Sequence, residues 1–189
     1  FTLGNIDDSA DPIILDAQNN SGVVVFNLPG VGAGSSYDFR NTGNAELILV
    51  NVGGATLTKT GGSIFIDGTA ATKPYAGAEV TLIEKTLWNF YETTTIDHGG
   101  FAWLGSFLAP LAANTTLDGG DINGQAVISG NVTQEGSFEF HNFCFNGDLL
   151  SCNACVLNAP TIQATCNDNG TPSDPSDDTY TYTIEVTGA

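Results

Sequence analysis

Four cysteines are the residues whose type and spacing speak most directly of chemistry. Cys144, Cys152, Cys155 and Cys166 are the chain's only ones and sit in the pattern C-x7-C-x2-C-x10-C. Four thiolates at such spacings fit a tetrahedral zinc site, but in an exported protein two disulfides are expected instead. Three pairings are open. Cys144–Cys152 with Cys155–Cys166 closes neighbouring loops with the least crossing of chain. A closed loop of roughly 10 to 15 residues contributes about 2 to 3 kcal/mol. Just beyond, the Pro-, Gly- and Asp-rich linker from Asn167 to Asp178 carries Asp168, Asn169, Asp174, Asp177 and Asp178. These form a candidate calcium set, because carboxylate oxygens suit a hard cation. No other cofactor is expected. Near the start, Asp7, Asp8 and Asp11 offer similar oxygens without a defined ligand spacing.

Catalytic constellations are absent by pattern. His98 precedes Gly99-Gly100 and His141 lies between Phe140 and Asn142. Nothing in sequence spaces the two as a metal pair or sets a nucleophile beside either. Carboxylate pairs such as Asp118 and Asp121 are expected in so acidic a chain, and no basic or aromatic cleft surrounds them. The glycine-rich stretch from Gly30 to Ser36 lacks the Lys-Ser/Thr ending of a phosphate cradle. The chain is not expected to be an enzyme.

Composition narrows the class further. The 189 residues carry 21 acidic groups against Arg40, Lys59, Lys73 and Lys85, for a net charge of −17. Such a surface repels phosphate backbones and anionic membranes, so neither nucleic-acid binding nor membrane insertion is expected. It suits solubility, divalent cations or a cationic partner. Charged residues make up only 13%, about half the usual share, which leaves Thr, Asn, Ser and Gly to build the polar surface. That is the habit of exported β-proteins. No apolar run approaches the roughly 18 to 20 residues of a membrane span. With no Met at all and Phe at position 1, the chain is expected to be mature protein whose targeting segment has been removed.

The elements that must position these residues are strands. Val23 to Leu28 (VVVFNL) and Leu47 to Val52 (LILVNV) are continuous apolar blocks, as strands buried on both faces require. Ala55 to Thr60 and Ser63 to Ile66 follow, and residues 67 to 80 are a polar excursion with Lys73-Pro74-Tyr75 in an exposed loop. Between Lys85 and Phe143, short apolar blocks alternate with Gly and Asn turns. A helix is expected at most around Leu108 to Asn114. Trp88, Phe90, Phe101, Trp103 and Phe107 read as core residues. The strands recur in a solenoid-like habit without a clean repeat period, and no Thr-x-Thr motif recurs at a fixed period outside the tail. The tail ends in Thr179 to Thr187 (TYTYTIEVT), a strict alternation that places Tyr180, Tyr182, Ile184 and Val186 on one face. Such a strand needs a sheet edge to pair with. Asn19, Asn114 and Asn131 open N-x-Ser/Thr sequons.

Three blocks in order carry a resemblance: Leu87-Trp88-Asn89-Phe90, Gly105-Ser106-Phe107-Leu108-Ala109-Pro110, and Asp121-Ile122-Asn123-Gly124-Gln125-Ala126-Val127-Ile128, ending near Glu139-Phe140-His141. Together they resemble the choice-of-anchor A domain, also described as an ice-binding-like adhesive domain of bacterial surface proteins. The likeness covers about residues 20 to 145. It implies a β-solenoid-like fold on an exported protein and supplies no catalytic residues. Members begin with a further Gly- and Asn-rich portion, so the missing strands are expected to come from a cut precursor or from elsewhere.

The expectation is therefore an all-β protein. Residues 1–145 form a β-solenoid-like adhesive domain, and residues 146–189 a disulfide-bearing linker with a separate terminal strand. Its expected role is a secreted structural subunit of a cell-surface filament or multi-domain adhesin. The terminal strand would add to the sheet of the next copy, so its partners are itself, head to tail, or neighbouring domains. The alternative is a monomeric ligand-binding adhesive or ice-binding-like module.

Overall fold

The computed structural model describes residues 1–147, 161–167 and 179–185, the last two as backbone strands alone. From the N-terminus come β1 (Thr2–Leu3), β2 (Asn5–Asp7), β3 (Ile13–Asp16), β4 (Gly22–Leu28), β5 (Tyr37–Arg40) and β6 (Ala45–Val52). Then β7 (Thr56–Lys59), β8 (Ile64–Ile66) and β9 (Thr69–Ala70) lead to the helix α1 (Ala78–Lys85). Beyond it run β10 (Thr86–Asn89), β11 (Thr95–Gly99), β12 (Ala102–Leu104), β13 (Ser106–Ala109), β14 (Asn114–Asp118) and β15 (Asp121–Asn123). They are followed by β16 (Ala126–Ile128), β17 (Asn131–Glu135), β18 (Glu139–His141), β19 (Thr161–Asn167) and β20 (Thr179–Glu185). The chain divides into two compact units, Phe1–Leu149 and Leu150–Ala189.

In the first unit the strands gather into four sheets. The first is ordered β1-β4-β6-β10-β13-β16, the second β2-β3-β5-β8-β9, the third β7-β11-β14-β17 and the fourth β12-β15-β18. All pairings in the first, third and fourth sheets are parallel. Only β2 and β9, at the margins of the second sheet, pair antiparallel. From β10 onward the chain visits the first, third and fourth sheets in turn, then returns. Leu87 faces Ser106, Thr95 faces Asn114 and Ala102 faces Asp121, each 19 positions on (106 − 87, 114 − 95, 121 − 102). A spatial period thus exists where the sequence showed none.

The space between the sheets holds the core. Phe26, Val50, Trp88 and Phe107 face one another across successive strands of the first sheet and all are buried. Trp103 is the hub: its ring centroid lies 4.8 Å from that of Trp88, 4.7 Å from Phe101 and 5.5 Å from Phe90. Edge-to-face packing at these distances adds to simple burial. The aromatic residues expected in the core are in it.

At the corner between the fourth and first sheets the chain turns on Gly105 (φ +124°) and Gly124 (φ +150°), 19 residues apart. A Cβ on Gly124 would stand 2.6 Å from the Gly105 carbonyl oxygen, and one on Gly105 2.7 Å from that of Thr86. Only glycine lets the stacked backbones approach so closely.

The helix is not where the sequence suggested. Leu108 and Ala109 end β13, and beyond Pro110 the amide of Ala112 bonds back to the Ala109 carbonyl (3.4 Å) in a turn. The helix instead occupies Ala78–Lys85, beginning at the end of the stretch read as a polar excursion and running five residues past it. Glu79 steadies its entry by accepting bonds from the amides of Thr72 (2.9 Å) and Ala76 (3.0 Å). Leu82 and Ile83 are buried beneath it, and the Lys85 ammonium donates to the carbonyls of Thr42 (2.8 Å) and Ala45 (3.1 Å). An eight-residue segment is too short to display helical periodicity, which is why pattern alone missed it.

In the second unit β19 and β20 pair antiparallel, with Ile162 facing Ile184 and Cys166 facing Tyr180. The terminal strand therefore finds its edge within its own chain, a correction to the expectation that it stands apart. Nothing among the described residues shows strand addition between copies. Val186, Cys152, Cys155 and the linker acids Asp168, Asp174, Asp177 and Asp178 lie outside the described residues, as do the side chains of Tyr180, Tyr182, Ile184 and Cys166. Cys144 is exposed and in no disulfide among the described residues. No described helix is long and apolar enough to cross a membrane.

Candidate functional site

Strand alternation sends every second residue of the third sheet outward. In β7, β11 and β14, Leu57, Lys59, Ile96, His98, Thr115 and Leu117 are buried, while Thr56, Thr58, Thr95, Asp97 and Asn114 are exposed. The parallel register aligns the outward set into two files. One runs Thr56, Thr95, Asn114, Asn131; the other runs Thr58, Asp97, Thr116, Thr133. Parallel strands stand about 4.8 Å apart, and residues two apart along a strand about 6.6 Å. The result is a grid of short hydroxyl, amide and carboxylate groups. Two sequons, Asn114 and Asn131, are neighbours on it.

Sequence reasoning overlooked this grid because it looked for Thr-x-Thr. The recurring pair is Thr or Asn followed by Thr or Asp, and the mixed residue types conceal it. Of the runs Thr93-Thr94-Thr95 and Thr115-Thr116, only Thr95 and Thr116 join the files. Thr93 and Thr115 are buried, and the Thr94 hydroxyl donates to the Ala55 carbonyl (3.1 Å).

The first sheet carries a different file on its outer face. The Asn51 amide donates to the Asn27 side-chain oxygen (2.9 Å), and the Asn89 amide to that of Asn51 (2.8 Å). These amides satisfy one another, which makes them a brace between strands.

A third polar group covers the fourth sheet. Register places Asp121 beside Glu139 and Asn123 beside His141. Lys73 reaches over from its loop to within 2.5 Å of Asp121 Oδ2 and 3.3 Å of Glu139 Oε2. His141 Nε2 is 3.0 Å from Glu139 Oε2, and its Nδ1 is 2.7 Å from Asn123 Oδ1. Lys73 and His141 together hold the Glu139 carboxyl below its usual range. Burial works to lower the Lys73 pKa, but its bonds to Asp121 and Glu139 prevail and raise it. Beside the cluster, Lys73, Tyr75, Phe140, His141 and Phe143 border an open groove of about 690 Å³. Asp121, Glu139 and His141 offer metal-ligating atoms within 4.8 Å of one another. His141, read in sequence as solitary, is joined to two acids by register. In sequence the cluster stands as D-x-N at 121–123 and E-x-H 18 positions on at 139–141, a relation that only the strand register brings out. Asp7, by contrast, is engaged locally, accepting from the Ser9 amide (3.1 Å) and hydroxyl (2.6 Å). Asp118, considered with Asp121 as a carboxylate pair, is exposed on β14 while Asp121 is buried on β15.

Comparison with curated proteins and with solved structures gave no match. A family model did match, over residues 3–142, and its description is an ice-binding-like adhesive domain. The match extends further toward the N-terminus than the blocks that first carried the resemblance. The chain belongs to the ice-binding-like adhesive domain family.

Proposed function

We propose that this chain is an adhesive module of a secreted cell-surface protein, wound as a β-solenoid, that grips an ordered surface through the outer face of its third sheet. The observation that carries the proposal is the pair of in-register files, Thr56-Thr95-Asn114-Asn131 and Thr58-Asp97-Thr116-Thr133. A regular grid of short, stiff polar side chains loses little conformational entropy on contact, and it matches a repeating surface better than an isolated ligand. Family membership supports the adhesive reading. The return of the chain through the same three sheets every 17 to 19 residues supports the solenoid winding.

The test is retention on insoluble polysaccharide and on ice, with thermal hysteresis measured alongside. A double variant, Thr58→Lys with Thr116→Lys, places long charged side chains on the grid while leaving the core intact. Retention should fall at least about tenfold with an unchanged circular dichroism spectrum. Equal retention of the variant, or no retention of the wild type on either surface, would refute the reading. Thermal hysteresis in the wild type would single out the ice-binding alternative, which uses the same face.

Filament formation by exchange of the terminal strand is the weaker reading, since Thr179–Glu185 already pairs with Thr161–Asn167. Neighbouring domains of a larger surface protein are the more natural partners. Catalysis forms no part of the proposal.

A further inference from the structure

We propose that Asp121, Glu139 and His141 form a binding site for a divalent transition-metal ion of zinc's class, for which the Lys73 ammonium is the competing occupant. The inference is independent of the adhesive reading and concerns a different sheet.

The amide of Asn123 fixes the chemistry. Its Nδ2 is 3.0 Å from the Trp103 carbonyl oxygen and also bonds Asp121 Oδ1. Both neighbours are acceptors, so that atom is the NH2 and the other is the oxygen. Asn123 Oδ1 therefore accepts, and the His141 Nδ1 that lies 2.7 Å away carries a hydrogen. His141 Nε2, the other ring nitrogen, lies 3.0 Å from Glu139 Oε2. With Asp121, this places two carboxylate oxygens and one imidazole nitrogen within 4.8 Å of one another. A ligating histidine whose second nitrogen donates to a fixed oxygen is the usual support of a metal site.

Lys73 supplies the second observation. A cation already rests between the two carboxylates, 2.5 Å from Asp121 and 3.3 Å from Glu139. It is borne on a loop and its side chain is 44% exposed, so it can withdraw into water. Asp121 and Asn123 cannot: they are 3% and 0% exposed, held by β15 between two parallel neighbours. Withdrawal of Lys73 leaves two carboxylates, which a divalent ion neutralises. One imidazole nitrogen with two carboxylate oxygens suits zinc and its neighbours, whereas calcium prefers oxygen alone.

The chain's two histidines make the test direct. Imidazole nitrogen resonances of the full-length protein, with its cysteines oxidised, should be followed during titration with zinc chloride. The His141 Nε2 resonance should move and saturate, while His98 stays fixed. Lys73→Ala should bind zinc more tightly, and Glu139→Gln should weaken binding by about tenfold or more. Glu139 is exposed, so that variant retains the fold, as circular dichroism can verify. Calcium at the same concentration should leave His141 unmoved. The proposal is overturned if His141 is unchanged at millimolar zinc in both the wild type and Lys73→Ala. It is equally overturned if Glu139→Gln binds as well as the wild type, or if calcium moves His141 as zinc does.

Discussion

Acid should unfold this domain partly through one histidine. His98 lies on the buried face of β11, its ring centroid 5.4 Å from Phe138 and 6.1 Å from Trp103, and neither ring nitrogen has a hydrogen-bond partner among the described residues. Burial drives its pKa from 6.5 down to about 4; the Lys59 ammonium pushes the same way and Asp121 opposes. The unfolded chain takes up a proton near pH 6.5, while the native state refuses it until near pH 4. Stability is thus full above pH 6.5 and is lost as pH falls through that window. Integrating the linkage gives a loss of about 2 kcal/mol by pH 5 and about 3 kcal/mol by pH 4. The assay is urea unfolding of wild type and His98→Leu from pH 7.5 to 4. The other acids titrate alike in both proteins, so the difference isolates His98. The variant should be near wild type at pH 7.5 and more stable by about 3 kcal/mol at pH 4. Parallel stability curves for the two proteins would refute the reasoning.

Lys59 should show a slope of the same sign in a more alkaline window. Its ammonium is buried over the Phe101 ring (4.2 Å to the centroid), and burial lowers its pKa to about 8. The native state sheds that proton before the unfolded state does, so stability should rise by about 2 kcal/mol between pH 7 and 10. Lys59→Met should lack that rise in the same urea assay. Gly124→Ala should cost roughly 1 to 3 kcal/mol in thermal unfolding, because the new Cβ meets the Gly105 carbonyl in a strained conformation. Trp88→Ala should cost about 3 to 5 kcal/mol, since it empties the centre of the aromatic core. In a glycosylating host, modification of Asn114 or Asn131 should abolish retention on ordered surfaces, and enzymatic deglycosylation should restore it.

Some of this architecture was plain in the residues. VVVFNL and LILVNV are strands of the first sheet because uninterrupted Val, Ile and Leu suit a parallel sheet covered on its inner side. The aromatic core was legible too, since large rings at Trp88, Trp103 and Phe107 have nowhere else to go in a chain so short of other bulk. The period of 17 to 19 residues was not. Positions that face one another need share only burial and apolar character, so Val50, Trp88 and Phe107 share a file with no common letter. The threonine grid was hidden in the same way, because Asn and Asp replace Thr without disturbing the spacing. The Asp121–Glu139–His141 cluster escaped because its members are separated by 18 and 2 positions in sequence. They meet only through a register that backbone pairing fixes and side-chain pattern does not announce.

The parallel register has an evolutionary corollary. A strand edge in the first, third or fourth sheet accepts the next strand in the same direction, so chain can be gained or lost there in whole circuits. Deleting one circuit of about 19 residues would shorten each of these three sheets by a single strand and leave every remaining side chain on its original face. Deleting a single residue within a strand would turn part of that strand inside out. Length differences among relatives should therefore cluster near multiples of this circuit or fall in the turns, and the area available for adhesion would be set by how many circuits a lineage has kept.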